Sequence, residues 1–212
     1  MAIMAEYEPR PVQIFPEHAL AHRYLDGIDG IEIGAAAHNP FNIPNCRTVD
    51  NTDSMETVFK AQEIRLCGRA ARVDIVGEAD ALPLESSSIG YVLSSHVLEH
   101  VWDVVGCLIE WARVLRVGGL VFAIIPRPTA LREDIGRPLT TISELRTRHD
   151  ERTRPGPDAP AWGHFNVWDL DTFRSTLRTV LPMYGIPLEV IDSEEIDTKV
   201  GNGFTIVLRK SA

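Results

Sequence analysis

The stretch Gly90-Tyr-Val-Leu-Ser-Ser-His-Val-Leu-Glu-His100 reads as a strand that ends in a polar cluster. Gly90 to Ser94 is apolar on both faces, as a parallel strand buried under helices must be. Downstream, Trp102 to Leu115 repeats apolar residues at helical spacing, at Val105, Leu108, Ile109, Ala112 and Leu115. Gly118-Gly119 is expected to end that helix and turn the chain into Leu120–Ile125, the most apolar strand in the sequence. Strand, helix, strand in that order is one right-handed unit of a parallel sheet.

Upstream, further strands are expected at 28–33, 47–49 and 73–76, and a short helix at 17–25 with Pro16 suited to its first turn. The C-terminal third is different in kind. Leu170 to Leu181 is amphipathic and helical, and strands at 188–191 and 204–208 follow it as a closing antiparallel pair. The sum is one α/β domain over 1–212, a Rossmann-like, doubly wound, mostly parallel sheet. An N-terminal arm and helix occupy 1–27, and a polar, Pro- and Arg-rich insertion at 127–165 is long enough to read as a lid, with one short helix at 142–148.

Composition narrows the function. Among 212 residues, 44% are hydrophobic and 24% charged, near globular averages. No apolar run reaches the ~20 residues that span a bilayer, and residues 1–16 lack the basic-then-apolar pattern of a secretory signal. Cys46, Cys67 and Cys107 are odd in number and unpatterned, which fits reduced thiols in the cytoplasm. A net charge of −9 repels phosphate backbones and anionic headgroups, so neither nucleic acid nor a membrane is expected as partner.

In open α/β sheets ligands bind at the carboxyl ends of the strands, where the strand order reverses. Four features fall there. Glu32-Ile-Gly34-Ala-Ala-Ala37 closes the first strand with small residues that permit close backbone approach. Asp50, followed by Asn51, tips the second strand, where an acid can chelate two ribose hydroxyls or simply cap a turn. Asp80-Ala81 follows the third strand, an acid beside a backbone amide, as reading adenine requires, with Leu82 and Leu84 to wall the ring. Ser95-His96 ends the fourth.

These blocks resemble class I S-adenosylmethionine-dependent methyltransferases of the type 11 kind. The resemblance rests on Gly30-Ile-Glu-Ile-Gly34, Asp80-Ala-Leu-Pro-Leu84, Tyr91 to His100 and Glu110-Trp-Ala-Arg-Val-Leu-Arg-Val-Gly-Gly119, in family order and over about half the chain. It implies S-adenosylmethionine as cofactor and S-adenosylhomocysteine as product. Glu32, Gly34, Ala35 and Ala36 would lie at the cofactor's amino-acid end, Asp50 and Asn51 at the ribose, Asp80 and Ala81 at the adenine, Ser95 and His96 near the sulfonium. The family's three alternating glycines are reduced to Gly34, with Ala36 and His38 at the other two places, and Asn39-Pro40 with Pro44 argues against a long first helix. Gly136 to Thr141 and Gly163 to Trp168 resemble, more weakly, a subset found beside glycosyltransferase genes.

Methyl transfer to a hydroxyl needs an in-line geometry and a base. His164 is the first candidate for that base and His96 the second, with Asp134 and His149 behind them. The expected acceptor is a small molecule or sugar. A non-catalytic cofactor-binding module is the alternative, suggested by the altered glycine turn. A nicotinamide enzyme is disfavoured by the absence of G-x-G-x-x-G. His96, Glu99 and His100 spell H-x-x-E-H, a peptidase spacing, but no third ligand is evident nearby and no metal is expected. Trp102 and Trp111 read as helix packing, whereas Trp162, Phe165 and Trp168 form either an aromatic wall around His164 or a hydrophobic clamp.

Overall fold

A computed structural model describes residues 12–156 and 163–212. Its seven strands are β1 (Gly30–Ile33), β2 (Cys46–Asp50), β3 (Ile75–Val76), β4 (Ile89–Ser95), β5 (Leu115–Pro126), β6 (Leu188–Glu194) and β7 (Gly203–Lys210). They form one sheet in the order β3-β2-β1-β4-β5-β7-β6. β1 to β5 run parallel, and β7 is antiparallel to both of its neighbours, β5 and β6. The expected closing pair is therefore present, with β7 as the reversed strand. The order reverses between β1 and β4, which pair directly through Ile33 and Ser94 at their carboxyl ends.

Apolar residues fall on both faces of the sheet because its central strands are buried on both. On one face Ile31, Val92 and Val121 pack against α3 (Val104–Val114) and α5 (Leu170–Met183) through Leu108, Trp111, Phe173 and Leu177. Asp103 caps α3 by accepting from the Gly106 amide, and Asp169 caps α5 by accepting from that of Thr172. On the other face Tyr91, Leu93 and Phe122 pack against α1 (Ala19–Leu25). There the β1–β2 connection, residues 34–45, contains no helix, as its prolines require. Phe41 and Ile43 from that connection fill the space a helix would cover.

Two expectations need correction, and one helix lies where none was expected. Gly118-Gly119 does not separate helix from strand: β5 begins at Leu115, directly after α3. Gly118, at φ +80°, instead lies where β5 shifts register against β4 between Ile89 and Tyr91. Helix α2 (Val58–Cys67) gives no ordinary periodic signal because its polarity is inverted. Val58 and Phe59 face solvent at 66% and 60% exposure, while Lys60 and Glu63 are buried. Their charges are paired inside, Lys60 Nζ lying 3.0 Å from Glu63 Oε1 and 3.6 Å from Asp50 Oδ2. Finally, Ile109, assigned to the buried stripe of α3, is partly exposed.

The 127–165 insertion carries α4 (Ile142–Asp150), two residues longer than its sequence suggests and closed by a capping box between Thr141 and Glu144. No helix of the described residues is long and apolar enough to cross a membrane. The three cysteines are free thiols, with Cys107 buried.

Candidate functional site

The four sequence features converge on one edge. Ile33 pairs with Val49 and with Ser94, and Asp50 with Val76, so the residues just beyond each strand share one rim. Gly34 is exposed there at φ +70°, and a Cβ at that position would stand 2.8 Å from Val97 Cγ2. Only glycine meets both conditions without strain. Ala35 is buried and Ala36 half-buried beneath it.

Glu32 is 9% exposed, on the face opposite Ile31 and Ile33. Burial pushes its carboxyl up to about 7, although the Lys199 ammonium pulls it down. Lys199 is itself lowered to about 8 by burial; its ammonium donates to the Pro16 and Pro40 carbonyls and lies 4.4 Å from the Phe41 ring.

Asp50 accepts from the Asn51 amide at 2.8 Å, and Asn51 is exposed. Asp80 is exposed, while the Ala81 amide donates to Glu78 O at 3.1 Å. Beside Asp80 opens a cavity of about 510 Å³, also lined by Trp102, Asp103, His149 and Tyr184. Ser95 Oγ accepts from Asn39 Nδ2 at 3.4 Å, and His96 sits at φ +57°.

An adenosyl sulfonium cofactor can be tested against this rim. The exposed positive-φ Gly34, the carboxylates of Asp50 and Asp80 and the small Ala35-Ala36 turn fit such a ligand. One difference from the glycine-rich pattern is specific. The Ala37 amide, inside the cofactor turn, donates to Glu63 Oε2 at 2.8 Å, and the same oxygen accepts from Ala71 at 2.6 Å. Glu63 thus ties the reshaped turn to α2 in place of the missing helix.

A second group of residues lies at the end of β4. Leu98–His100 forms a 3₁₀ turn there, and α3 starts beyond it, capped by Asp103. Glu99 is 1% exposed, and both carboxylate oxygens are buried without a hydrogen-bond partner. Burial pushes its carboxyl up to about 8. His96 Nδ1 stands 3.6 Å and His100 Nε2 3.9 Å from Glu99 Oε1.

His164 returns to this point from the far end of the insertion. Its ring centroid lies 4.6 Å from that of His100, and its Nδ1 is 2.7 Å from Asp134 Oδ2. Asp134 is also ion-paired with Arg137. Nothing local in the sequence marks Asp134 as that partner, since 30 residues separate the two. His149 lies elsewhere, bonded to Asp103 at 2.9 Å and edge-on to Tyr184.

The return segment is tightly held. The Phe165 and Asn166 amides both donate to the Glu99 carbonyl, at 2.7 and 3.1 Å. Asn166 Nδ2 donates to the carbonyls of Leu98 and Val101, and its Oδ1 accepts from Arg148. Asn166, absent from the sequence candidates, is thus what fixes His164 over the 3₁₀ turn. One aromatic alternative is decided and one assignment changes. Trp168 is fully buried against Phe173, so it belongs to the core and not to a wall around His164. Trp102 is only half-buried: its ring lies under the Arg148 guanidinium at 4.3 Å, and its Nε1 donates to Thr153. Trp162 lies outside the described residues.

Residues 32–123 match the family model described as a methyltransferase domain. Solved structures share the fold across nearly the whole chain. A S-adenosylmethionine-dependent methyltransferase from Mesorhizobium loti is 14% identical with a TM-score of 0.50, covering 88% of this chain and 93% of its own. One from Thermotoga maritima, described as a possible histamine N-methyltransferase, is 16% identical with a TM-score of 0.51, covering 91% and 92%. The cyclase SpnF is 14% identical with a TM-score of 0.53, covering 91% and 79%, so the fold alone does not fix the reaction. No curated protein matches the sequence. The matched stretch and the 3-2-1-4-5-7-6 sheet are thus similar to the methyltransferase domain and to the fold of class I S-adenosylmethionine-dependent methyltransferases.

Proposed function

We propose that the chain transfers the methyl group of S-adenosylmethionine to a hydroxyl of a small molecule or sugar. The observation that carries this reading is the buried His164–Asp134 pair, held beside the carboxyl end of β4 by the strap that Asn166 pins. A carboxylate on Nδ1 fixes the ring tautomer and leaves Nε2 to accept a proton, which a hydroxyl must lose as the methyl arrives. In this reading the cofactor's amino-acid end meets Gly34 to Ala36 and Glu32, the ribose meets Asp50 and Asn51, the adenine meets Asp80 and Ala81, and Ser95 with His96 lie under the sulfonium. The protein's remaining work is to hold sulfur, methyl carbon and acceptor oxygen in line and to exclude water. An acidic chain suits a neutral or cationic acceptor better than nucleic acid or a membrane surface.

Titration calorimetry with S-adenosylmethionine and S-adenosylhomocysteine tests the cofactor, and transfer of a labelled methyl group to a panel of sugars and phenols tests the reaction. Folded protein that binds neither cofactor form ends this reading. Cofactor binding without transfer to any acceptor favours the second reading, a non-catalytic binding module. That alternative has its own observation in the Ala37 amide, which Glu63 already occupies.

A further inference from the structure

The H-x-x-E-H spacing lacks a third ligand when read along the chain, but the fold supplies one. Donor atoms of Glu99, His100 and His164 all lie within 4.8 Å of one another. We propose that Glu99, His100 and His164 form a binding site for a first-row divalent metal ion, with Asp134 and the Gly163 carbonyl orienting its two histidines.

Glu99 is the strongest pointer. A carboxylate 1% exposed with no hydrogen bond to either oxygen is an uncompensated buried acceptor, and such groups are rare unless something is missing from the site. A cation between Glu99 and the imidazoles supplies the missing partner. The two histidines are arranged as metal-binding histidines usually are. His164 Nδ1 meets the Asp134 carboxylate at 2.7 Å, and His100 Nδ1 meets Gly163 O at 3.2 Å. Each contact turns the ring so that Nε2 is the coordinating atom. An ion at about 2.0–2.2 Å from each donor would draw the donors to roughly 3.4 Å apart, a contraction that side-chain rotation supplies.

Two imidazoles and one carboxylate favour zinc, iron(II) or cobalt over magnesium or calcium, which prefer oxygen ligands throughout. Three protein ligands leave at least one coordination position open, as sites that act on a bound oxygen do. The assignment changes the part His164 plays in the reading above, because an Nε2 that holds an ion does not also take a proton. It does not depend on methyl transfer, and its test needs neither cofactor nor acceptor.

The untagged full chain, stripped with chelator and titrated with Zn²⁺ and with Co²⁺, is expected to bind one equivalent of either and none of Mg²⁺ at the same concentration. The cobalt form should show the visible absorption of a low-symmetry site. Glu99→Gln and His164→Ala should each weaken zinc binding by at least tenfold. His22→Ala, which removes an α1 histidine paired with Asp26, should leave it unchanged. Near-ultraviolet circular dichroism shows whether each variant is folded. Should both site variants unfold, the cobalt spectrum of the wild type decides alone. Zinc bound as tightly by folded His164→Ala as by wild type, zinc lost in His22→Ala, or no binding at one equivalent would each overturn the proposal.

Discussion

Replacing Glu32 by Gln removes a buried charge from the middle of the sheet and should make the ligand-free protein more stable at neutral pH. The carboxyl is raised from 4.5 to about 7 by burial, with Lys199 as partial compensation. A group whose folded pKa exceeds its unfolded one binds more protons in the folded state, so its contribution is complete below pH 4.5 and is lost as pH rises toward 7. A shift of roughly 2.5 units at about 1.4 kcal/mol each amounts to about 3 kcal/mol of lost stability by pH ~7.5. The glutamine variant keeps the shape and never ionises, so it should be about 3 kcal/mol more stable than wild type at pH ~7.5 and equal to it at pH ~4. Other buried acids, Glu99 among them, titrate in both proteins and cancel in the difference. Urea unfolding of both proteins across that range, without cofactor, measures it. Curves that differ by the same amount at every pH, or a variant less stable at pH ~7.5, would refute the electrostatic reasoning.

Glu32→Gln should also bind S-adenosylmethionine more weakly by calorimetry, since the proposed contact to the cofactor's ammonium would lose its charge. Gly34→Ala combines a positive-φ penalty with the Val97 contact and should cost about 1–2 kcal/mol of stability together with most cofactor affinity. The double variant with Val97→Ala should recover the steric part alone. Trp168→Ala empties a fully buried site against Phe173 and should cost about 3–5 kcal/mol in urea unfolding. Asp134→Asn should lower methyl transfer about 10- to 100-fold while leaving the dissociation constant for S-adenosylhomocysteine within twofold, about the scatter of the assay. Equal losses in both would mean that Asp134 acts on the fold rather than on His164.

The elements readable from sequence are those whose burial is simple. β4 and β5 are apolar on both faces, α3 and α5 carry one apolar stripe each, and all four were visible as patterns. α2 was not, because its inward face is an ion-paired Lys60 and Glu63 and its outward face is Val58 and Phe59. Hydrophobic periodicity points the wrong way in such a helix. The rim residues could be placed because each follows a strand end, and strand ends in a parallel sheet share one edge. The Glu99, His100 and His164 cluster could not. His164 is 64 residues beyond His100 (164 less 100), and the link between them is a set of backbone hydrogen bonds that no spacing rule encodes. Trp168 is a different case. From its spacing it reads as either a site wall or a hydrophobic clamp, and the strap, turning inward two residues after Asn166, delivers it to the core.

The amides of Phe165 and Asn166 both donate to the Glu99 carbonyl, and that of Phe165 donates to Gly163 O as well, at 3.0 Å. The Asn166 amide therefore reports release of the strap, whereas the Phe165 amide keeps a partner within the strap itself. Hydrogen exchange at Asn166 should follow a rate constant set by release of the strap as a unit. That rate is an upper limit on how often the floor of the site can be exposed from this side. A turnover number exceeding it would mean that the acceptor enters by another route, past Asp80 and the cavity beneath Tyr184. Exchange at one backbone position would then become a clock for substrate access, readable before any substrate is known.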